Sequence, residues 1–303
     1  MVLTDREIKL HSYLQKIEYV PTIPIVVNQV LVELQKPDVD LDEVADIIMA
    51  DQVLTLRIIR LINSAFWGLQ HQVQSLKEAI VYLGLREVRN VVLTTWLVNV
   101  FVSKVAKFKI ETFWEHSFGC ALLCRLIARQ IGYHDPDRAY LGGLLHDVGE
   151  VIFCQYFPEE FAQIVYLVEN QMISFHEAEE KIMGINHTDI GIWLIDHWHL
   201  PHYLGEVIEK HHTPQEAEHE PDLVAIVNLA DLFCRLRGLG YGFYEKLEVI
   251  FENEPAWQVL TNINSSLKDI DLEKFTLDLD DRVDEVKVAV QGIYSAETEV
   301  SAV

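Results

Sequence analysis

The stretch Leu144-Leu145-His146-Asp147-Val148-Gly149-Glu150 sets an imidazole and a carboxylate side by side within an apolar run. Around it Leu141, Leu144, Leu145, Val148, Val151 and Ile152 recur at helical spacing, which predicts a buried helix. Buried polar groups need partners, so a buried His-Asp pair points to further polar residues that the fold brings to it. The dipeptide alone decides nothing, because His134-Asp135 repeats it between Gly132 and Pro136, where a surface loop or a helix start is expected.

Toward the amino terminus the pattern stays helical. Residues 1–20 read as a short amphipathic lead-in, and Pro21 and Pro24 precede a helix to about Lys36, which Pro37 ends. Asp40 with Glu43 and Ser75 with Glu78 are capping signatures. Between them Leu54, Ile58, Leu61 and Ile62 share one face of a helix from about Gln52, with Gly68 as its terminator. Gly84 divides the Ser75 helix from the next, Leu85 to about Val102. About five helices on short turns, with no strand-like alternation, predict a helical bundle. Arg57, Arg60, Arg86 and Arg89 read as solvated faces rather than as a site.

Toward the carboxyl terminus, His116, Cys120 and Cys124 fall at i, i+4 and i+8 and so project from one helix face. His187 opens the run Ile190-Gly191-Ile192-Trp193-Leu194, and His211-His212 close a helix from about Tyr203. Asp231 sits in the apolar run from Ile226 to Phe233. His197, His199 and His202 flank the Leu200-Pro201 turn and read as surface residues, as do His71, His176 and His219. After Gly238-Leu239-Gly240-Tyr241-Gly242 comes an acidic segment, amphipathic between about Lys246 and Tyr294, with a tail from Ser295 to Val303 expected to be mobile.

With 303 residues, half of them apolar, the chain can bury a large core. A formal charge of −23 argues against nucleic acid or an anionic membrane as the main partner, because both reward clustered Lys and Arg. Four cysteines and an opening, Met1 to Leu10, without an apolar leader core suit a reducing cytoplasm. The most apolar stretch, Val91 to Val102, is well short of the roughly 20 residues of a membrane helix.

In order and type, His116, His146-Asp147, His187, His211-His212 and Asp231 resemble the histidines and aspartates of the HD superfamily of metal-dependent phosphohydrolases. A fuller resemblance is to its bacterial HDOD (HD-related output domain) branch. It is carried by Pro21-Thr22-Ile23-Pro24, Ile58-Ile59-Arg60-Leu61-Ile62-Asn63-Ser64-Ala65, Ser75-Leu76-Lys77-Glu78-Ala79-Ile80 and Tyr82-Leu83-Gly84-Leu85-Arg86. It continues through Leu144 to Gly149, Asn186-His187, Trp198-His199-Leu200-Pro201 and His211-His212, covering roughly residues 14–240.

The resemblance implies an all-α fold in which an N-terminal helical subdomain, 1–104, packs on an HD-type metal-binding core, 105–240, with an acidic helical extension over 241–303. It implies a bacterial signalling role exerted through a protein partner. It also implies a site for two divalent or transition metal ions, iron, manganese or zinc. His116, His146, Asp147 and Asp231 would hold one ion, and His187, His211, His212 and Asp147 the other, so that Asp147 lies between them. One of the adjacent His211-His212 pair is expected to face solvent, which makes His212 the firmer ligand. Cys120 and Glu150 stand beside these positions as supporting or substrate-side candidates. Each histidine alone reads rather as a hydrogen-bonded core or surface residue; seven ligand-type positions, five histidines and two aspartates, in the family's order favour metal.

Two departures weigh against hydrolysis. Active relatives carry a lysine where this chain has Glu150, a charge expected to repel phosphate. After His212 the chain reads Thr213-Pro214-Gln215-Glu216 instead of the Gly-Tyr-Pro signature of the cyclic-dinucleotide hydrolases. No catalytic residue is assigned. Metal-dependent phosphohydrolysis by a water bridging the ions remains the alternative, with a small phosphorylated ligand as its substrate class.

Overall fold

The computed structural model describes residues 4–34, 36, 38–63, 69, 71–100, 108–240, 249–280 and 283. Gly68, the side chains of Arg57, Arg60 and Arg86, and the tail 295–303 lie outside the described residues. All regular structure within them is helical, as expected of an all-α chain. None of these helices is long and apolar enough to cross a membrane. The described residues fall into two compact units, one within 21–100 with Asp280 and Val283, the other within 4–20 and 108–279.

In the first unit, α2 (Ile25–Glu33), α3 (Leu41–Met49), α4 (Gln52–Ile62), α5 (Leu76–Leu83) and α6 (Leu85–Val100) bury Val30, Val44, Ile48, Leu54, Ile58, Ile62, Ile80 and Val92. α2 stops at Glu33, short of the expected Lys36. Ser75 caps α5, accepting from Glu78 N at 3.2 Å, while the Glu78 carboxylate reaches back to Gln74 N at 3.0 Å. At Asp40 only half of the expected box forms: its carboxylate accepts from Asp42 N at 2.8 Å, and Glu43 turns toward Lys36 instead. Gly84, at φ 77°, makes the break between α5 and α6 that a side chain would strain. The Asn63 side chain pairs with both backbone groups of Val73, at 2.8 and 2.9 Å, and so ties the end of α4 to the approach to α5.

The second unit begins with α1 (Asp5–Leu14), closed by a Thr4-Glu7 capping box. Arg6 grips Asp189 with two hydrogen bonds, 2.7 and 2.8 Å, and pairs with Glu180 at 2.6 Å, so the lead-in docks on the carboxyl-terminal half of the chain. The centre is α7 (Ile110–Gln130), which is buried along most of its length and packs against α8 (Pro136–Leu145) and α14 (Pro221–Leu236). α7 and α8 pack closely at Gly143, where a Cβ would meet Cys124 Sγ at 2.6 Å and the Cys120 carbonyl at 2.8 Å. Around this core lie α9 (Val148–Tyr156), α10 (Pro158–Gln171), α11 (Phe175–Ile182), α12 (His187–His197) and α13 (Tyr203–Lys210). α15 (Pro255–Ile263) packs on α14.

The segment entering α14 is held by one carboxylate. Glu206 on α13 accepts from the backbone N–H groups of Glu218, His219 and Glu220 at 2.6–3.1 Å. Partial burial opposes the charge, but those three donors outweigh it and hold the Glu206 carboxyl below its ordinary pKa. A depressed folded-state pKa adds stability above the unfolded value, and that stability is lost as pH falls through the folded value. Glu206→Gln is therefore expected to destabilise the protein at neutral pH by roughly 1–2 kcal/mol. Chemical denaturation across pH 7 to 3 should show the deficit shrinking in acid; a deficit independent of pH would contradict it.

Candidate metal centre

His146 and Asp147 do not lie within one continuous helix, contrary to the apolar spacing from 141 to 152. All six apolar residues are buried, but α8 ends at Leu145 and α9 starts at Val148, with the pair in the turn between them. Asp147 takes φ −104° and ψ 13°, a bridge-region conformation, and its carbonyl accepts from Glu150 N at 2.9 Å to begin α9. The turn satisfies the helical period on both sides, which is why spacing alone does not reveal it.

The other site residues arrive from four further places. α7 supplies His116 and Cys120, and α14 supplies Asp231. His187 is the first residue of α12, and His211-His212 follow the last turn of α13. Asn186 caps α12, its side chain accepting from Thr188 N at 3.0 Å while the Asp189 carboxylate accepts from Asn186 N at 2.9 Å. Gly149 lets α12 approach: a Cβ there would stand 1.9 Å from the His187 carbonyl oxygen. The glycine of the opening stretch is thus a packing requirement of the site.

Four imidazoles share one arrangement. His116 Nδ1 lies 2.6 Å from Leu239 O, His146 Nδ1 2.9 Å from Gly143 O, and His211 Nδ1 2.8 Å from Ile208 O. His187 Nδ1 lies 2.7 Å from a Glu179 carboxylate oxygen, which also accepts from His187 N at 3.0 Å. Carbonyl and carboxylate oxygens accept, so Nδ1 carries the proton, and in each neutral ring Nε2 is left as a lone pair. All four Nε2 atoms turn inward toward carboxylates.

Asp147 stands between them. Its Oδ2 is 3.1 Å from His146 Nε2 and 3.8 Å from His116 Nε2; its Oδ1 is 3.2 Å from His211 Nε2 and 3.4 Å from His187 Nε2. His116 Nε2 also lies 3.4 Å from His146 Nε2 and 3.4 Å from Asp231 Oδ1. On the other side, His212 Nε2 is 3.1 Å from His187 Nε2. Two groups of donor atoms result, His116 with Cys120, His146 and Asp231, and Asp147 with His187, His211 and His212; within each, the atoms lie within 4.8 Å of one another.

Acceptors facing acceptors in a buried site call for a cation or for extra protons. Burial opposes charge on His146 and His187, but Asp147 outweighs it at His146, and at His187 the Glu179 carboxylate followed by Asp147 pushes the pKa up to about 9. His211 has weaker support, and burial lowers its pKa. Asp147 stays anionic, because the neighbouring imidazoles, His146 first, overcome the effect of burial. Asp231 does so chiefly through Arg235, whose guanidinium lies 2.9 Å from its second oxygen. The donor set therefore suits a metal ion in ligand type, burial and orientation, and each Nδ1–H is anchored in the way metal-binding histidines usually are.

A family model for the HDOD domain matches residues 20–214. The chain belongs to the HDOD domain family. Over 95% of its length and 98% of the other's, it is 33% identical to a Geobacter sulfurreducens HDOD domain protein of unknown function, with a TM-score of 0.86. A candidate phosphohydrolase from Shewanella amazonensis SB2B shares the fold at TM-score 0.72 and 24% identity, covering 94% of this chain and 99% of its own. An uncharacterized protein of Treponema pallidum is 26% identical over 230 residues, which are 74% of this chain and 44% of that protein. The chain thus spans less than half the length of that curated relative.

Several positions in this HDOD chain differ from their sequence reading. Of the adjacent pair, His211 is fully buried and His212 is the one that faces solvent, whereas the sequence reading left the solvent-facing position to His211. Glu150 is buried rather than phosphate-facing, with Oε1 3.7 Å from His187 Nδ1. Burial, then the charges of Glu179 and Asp147, push its carboxyl pKa well above the ordinary range. His176 is half-buried on α11 and accepts from the Asn186 amide at 2.8 Å, with its ring 5.1 Å from that of His212. Glu179, Arg235 and the Leu239 carbonyl escape the sequence reading, since a helical Glu, an i+4 Arg and a backbone oxygen carry no motif. His71, His197, His199, His202 and His219 are exposed, as expected.

The approach at Gly149 is testable without metal. Gly149→Ala is expected to cost about 3 kcal/mol, because backbone must move. Gly205→Ala, on α13 with nothing within 4 Å of the added Cβ, should instead stabilise by about 0.5–1 kcal/mol. Thermal unfolding of the two variants decides, and equal midpoints would contradict the close approach.

Proposed function

We propose that this HDOD protein is a regulatory module built around a dinuclear metal centre, with little or no phosphodiesterase turnover, and that it acts through a protein partner. One observation carries the reading: the two oxygens of Asp147 divide between two groups of inward-facing Nε2 atoms. His116, His146 and Asp231 with Asp147 Oδ2 would hold one ion, and His187, His211 and His212 with Asp147 Oδ1 the other. Iron, manganese and zinc accept such imidazole and carboxylate donors. Bound ions would supply Lewis acidity and a water of lowered pKa.

What the chain adds around that chemistry favours regulation over turnover. Glu150, where active relatives place a lysine, lies on the Nδ1 side of His187 and offers no cation to a phosphate. Arg235 is engaged with Asp231. The exposure of His212 supports a second reading, hydrolysis of a small phosphorylated ligand that reaches the metals from that side.

Protein purified without added metal is expected to carry bound metal by elemental analysis, approaching two ions per chain. Asp147→Ala should remove most of both. Negligible metal, or metal unaffected by Asp147→Ala, would end the reading. A screen of phosphomonoesters, nucleotides and cyclic dinucleotides with manganese or iron should show no turnover that depends on Asp147. Activity abolished by Asp147→Ala would establish the hydrolase instead.

A further inference from the structure

Resting on the dinuclear reading, we infer that its two halves are chemically unlike: Cys120 is a thiolate ligand of the ion held by His116, His146 and Asp231, and that half is closed to solvent. Cys120 Sγ lies 3.4 Å from His116 Nε2, as far as His146 Nε2 and Asp231 Oδ1 do from the same atom. Ligand atoms bound to one ion, with metal–nitrogen bonds of about 2.0–2.1 Å and metal–sulfur bonds of about 2.3 Å, stand roughly 3–4 Å apart. The sulfur therefore occupies a ligand's place around the common centre. His116 and Cys120 are one helical turn apart on α7, so the backbone presents both donors together.

The surroundings separate Cys120 from an ordinary core cysteine. His116, Cys120, His146 and Asp231 are all buried, and the Nδ1 atoms of both histidines are committed to carbonyl oxygens. The Cys120 sulfur thus lies within 4.8 Å of donor atoms of two histidines and a carboxylate, besides its contact with the Cys234 side chain. Gly143 closes α8 onto α7 directly above it, since any side chain there would collide with the Cys120 carbonyl. Burial first and then the neighbouring Cys234 push the Cys120 thiol pKa up. Metal uptake breaks the S–H bond, forms the metal–sulfur bond and sends the proton to solvent.

The other half has imidazole and carboxylate donors only, and one of them, His212, is exposed. A soft thiolate biases the enclosed half toward zinc or iron over manganese and magnesium. The exposed half is left as the exchangeable position where an anionic ligand could bind. Structural and ligand-receiving duties thereby fall to different ions.

Cobalt(II) titration of the chelator-stripped protein tests this. The expected result is a near-ultraviolet thiolate-to-cobalt charge-transfer band in the wild type that is lost in both Cys120→Ala and Cys120→Ser, while cobalt still binds at the exposed half. Cys124→Ala and Cys234→Ala should keep the band, as should the triple variant lacking Cys124, Cys154 and Cys234, which serves if the Cys120 variants do not fold. Cobalt bound by the wild type without the band, or a band that survives loss of Cys120, overturns the thiolate and leaves the dinuclear reading standing. No cobalt bound by the wild type overturns both.

Discussion

The arrangement around Asp147 rests on one constraint: four buried imidazoles spend their Nδ1 protons on fixed oxygens and must point Nε2 lone pairs at a carboxylate. Such a cluster repels itself unless positive charge enters it. Protons can supply that charge, as the raised pKa values of His146 and His187 indicate, but each proton serves one or two contacts. A metal ion satisfies several lone pairs at once. The fold thus holds a set of acceptors in excess of its own donors.

The supports of this cluster explain much of the surrounding sequence. Three of the four anchoring oxygens are backbone carbonyls, of Gly143, Ile208 and Leu239. Those of Gly143 and Ile208 lie three residues before the histidine they hold, so each ring folds back over its own helix end. The Leu239 carbonyl is brought to His116 from beyond α14, past the left-handed turn at Gly238. His187 alone uses a carboxylate, and Glu179 is itself fully buried on α11. Gly149 and the Asn186 cap set how near that ring comes to Asp147. Second-sphere partners of this kind fix ring orientation and raise ligand basicity.

Helical class, most helix starts and the grouping of histidines with aspartates were legible in the sequence because periodicity, capping residues and motif order are local signals. The turn at His146-Asp147 was not, because two helices in near register leave the apolar period unbroken. The relative burial of His211 and His212 depends on which way the last turn of α13 faces, which only packing decides. Glu150 shows the same limit from the electrostatic side. Its type predicts a negative charge, and its burial beside Glu179 opposes that charge. His176, Glu179 and Arg235 join the site through tertiary contacts that no spacing rule encodes.

The most direct measurement is a crystal structure of the metal-loaded protein with anomalous diffraction collected at the metal edge. Two anomalous peaks are predicted, one at bonding distance of about 2 Å from each Asp147 oxygen, with all four anchored histidines coordinating through Nε2. A single peak not shared by Asp147, coordination through Nδ1, or a cluster held together without metal would contradict the bridging role assigned to that carboxylate.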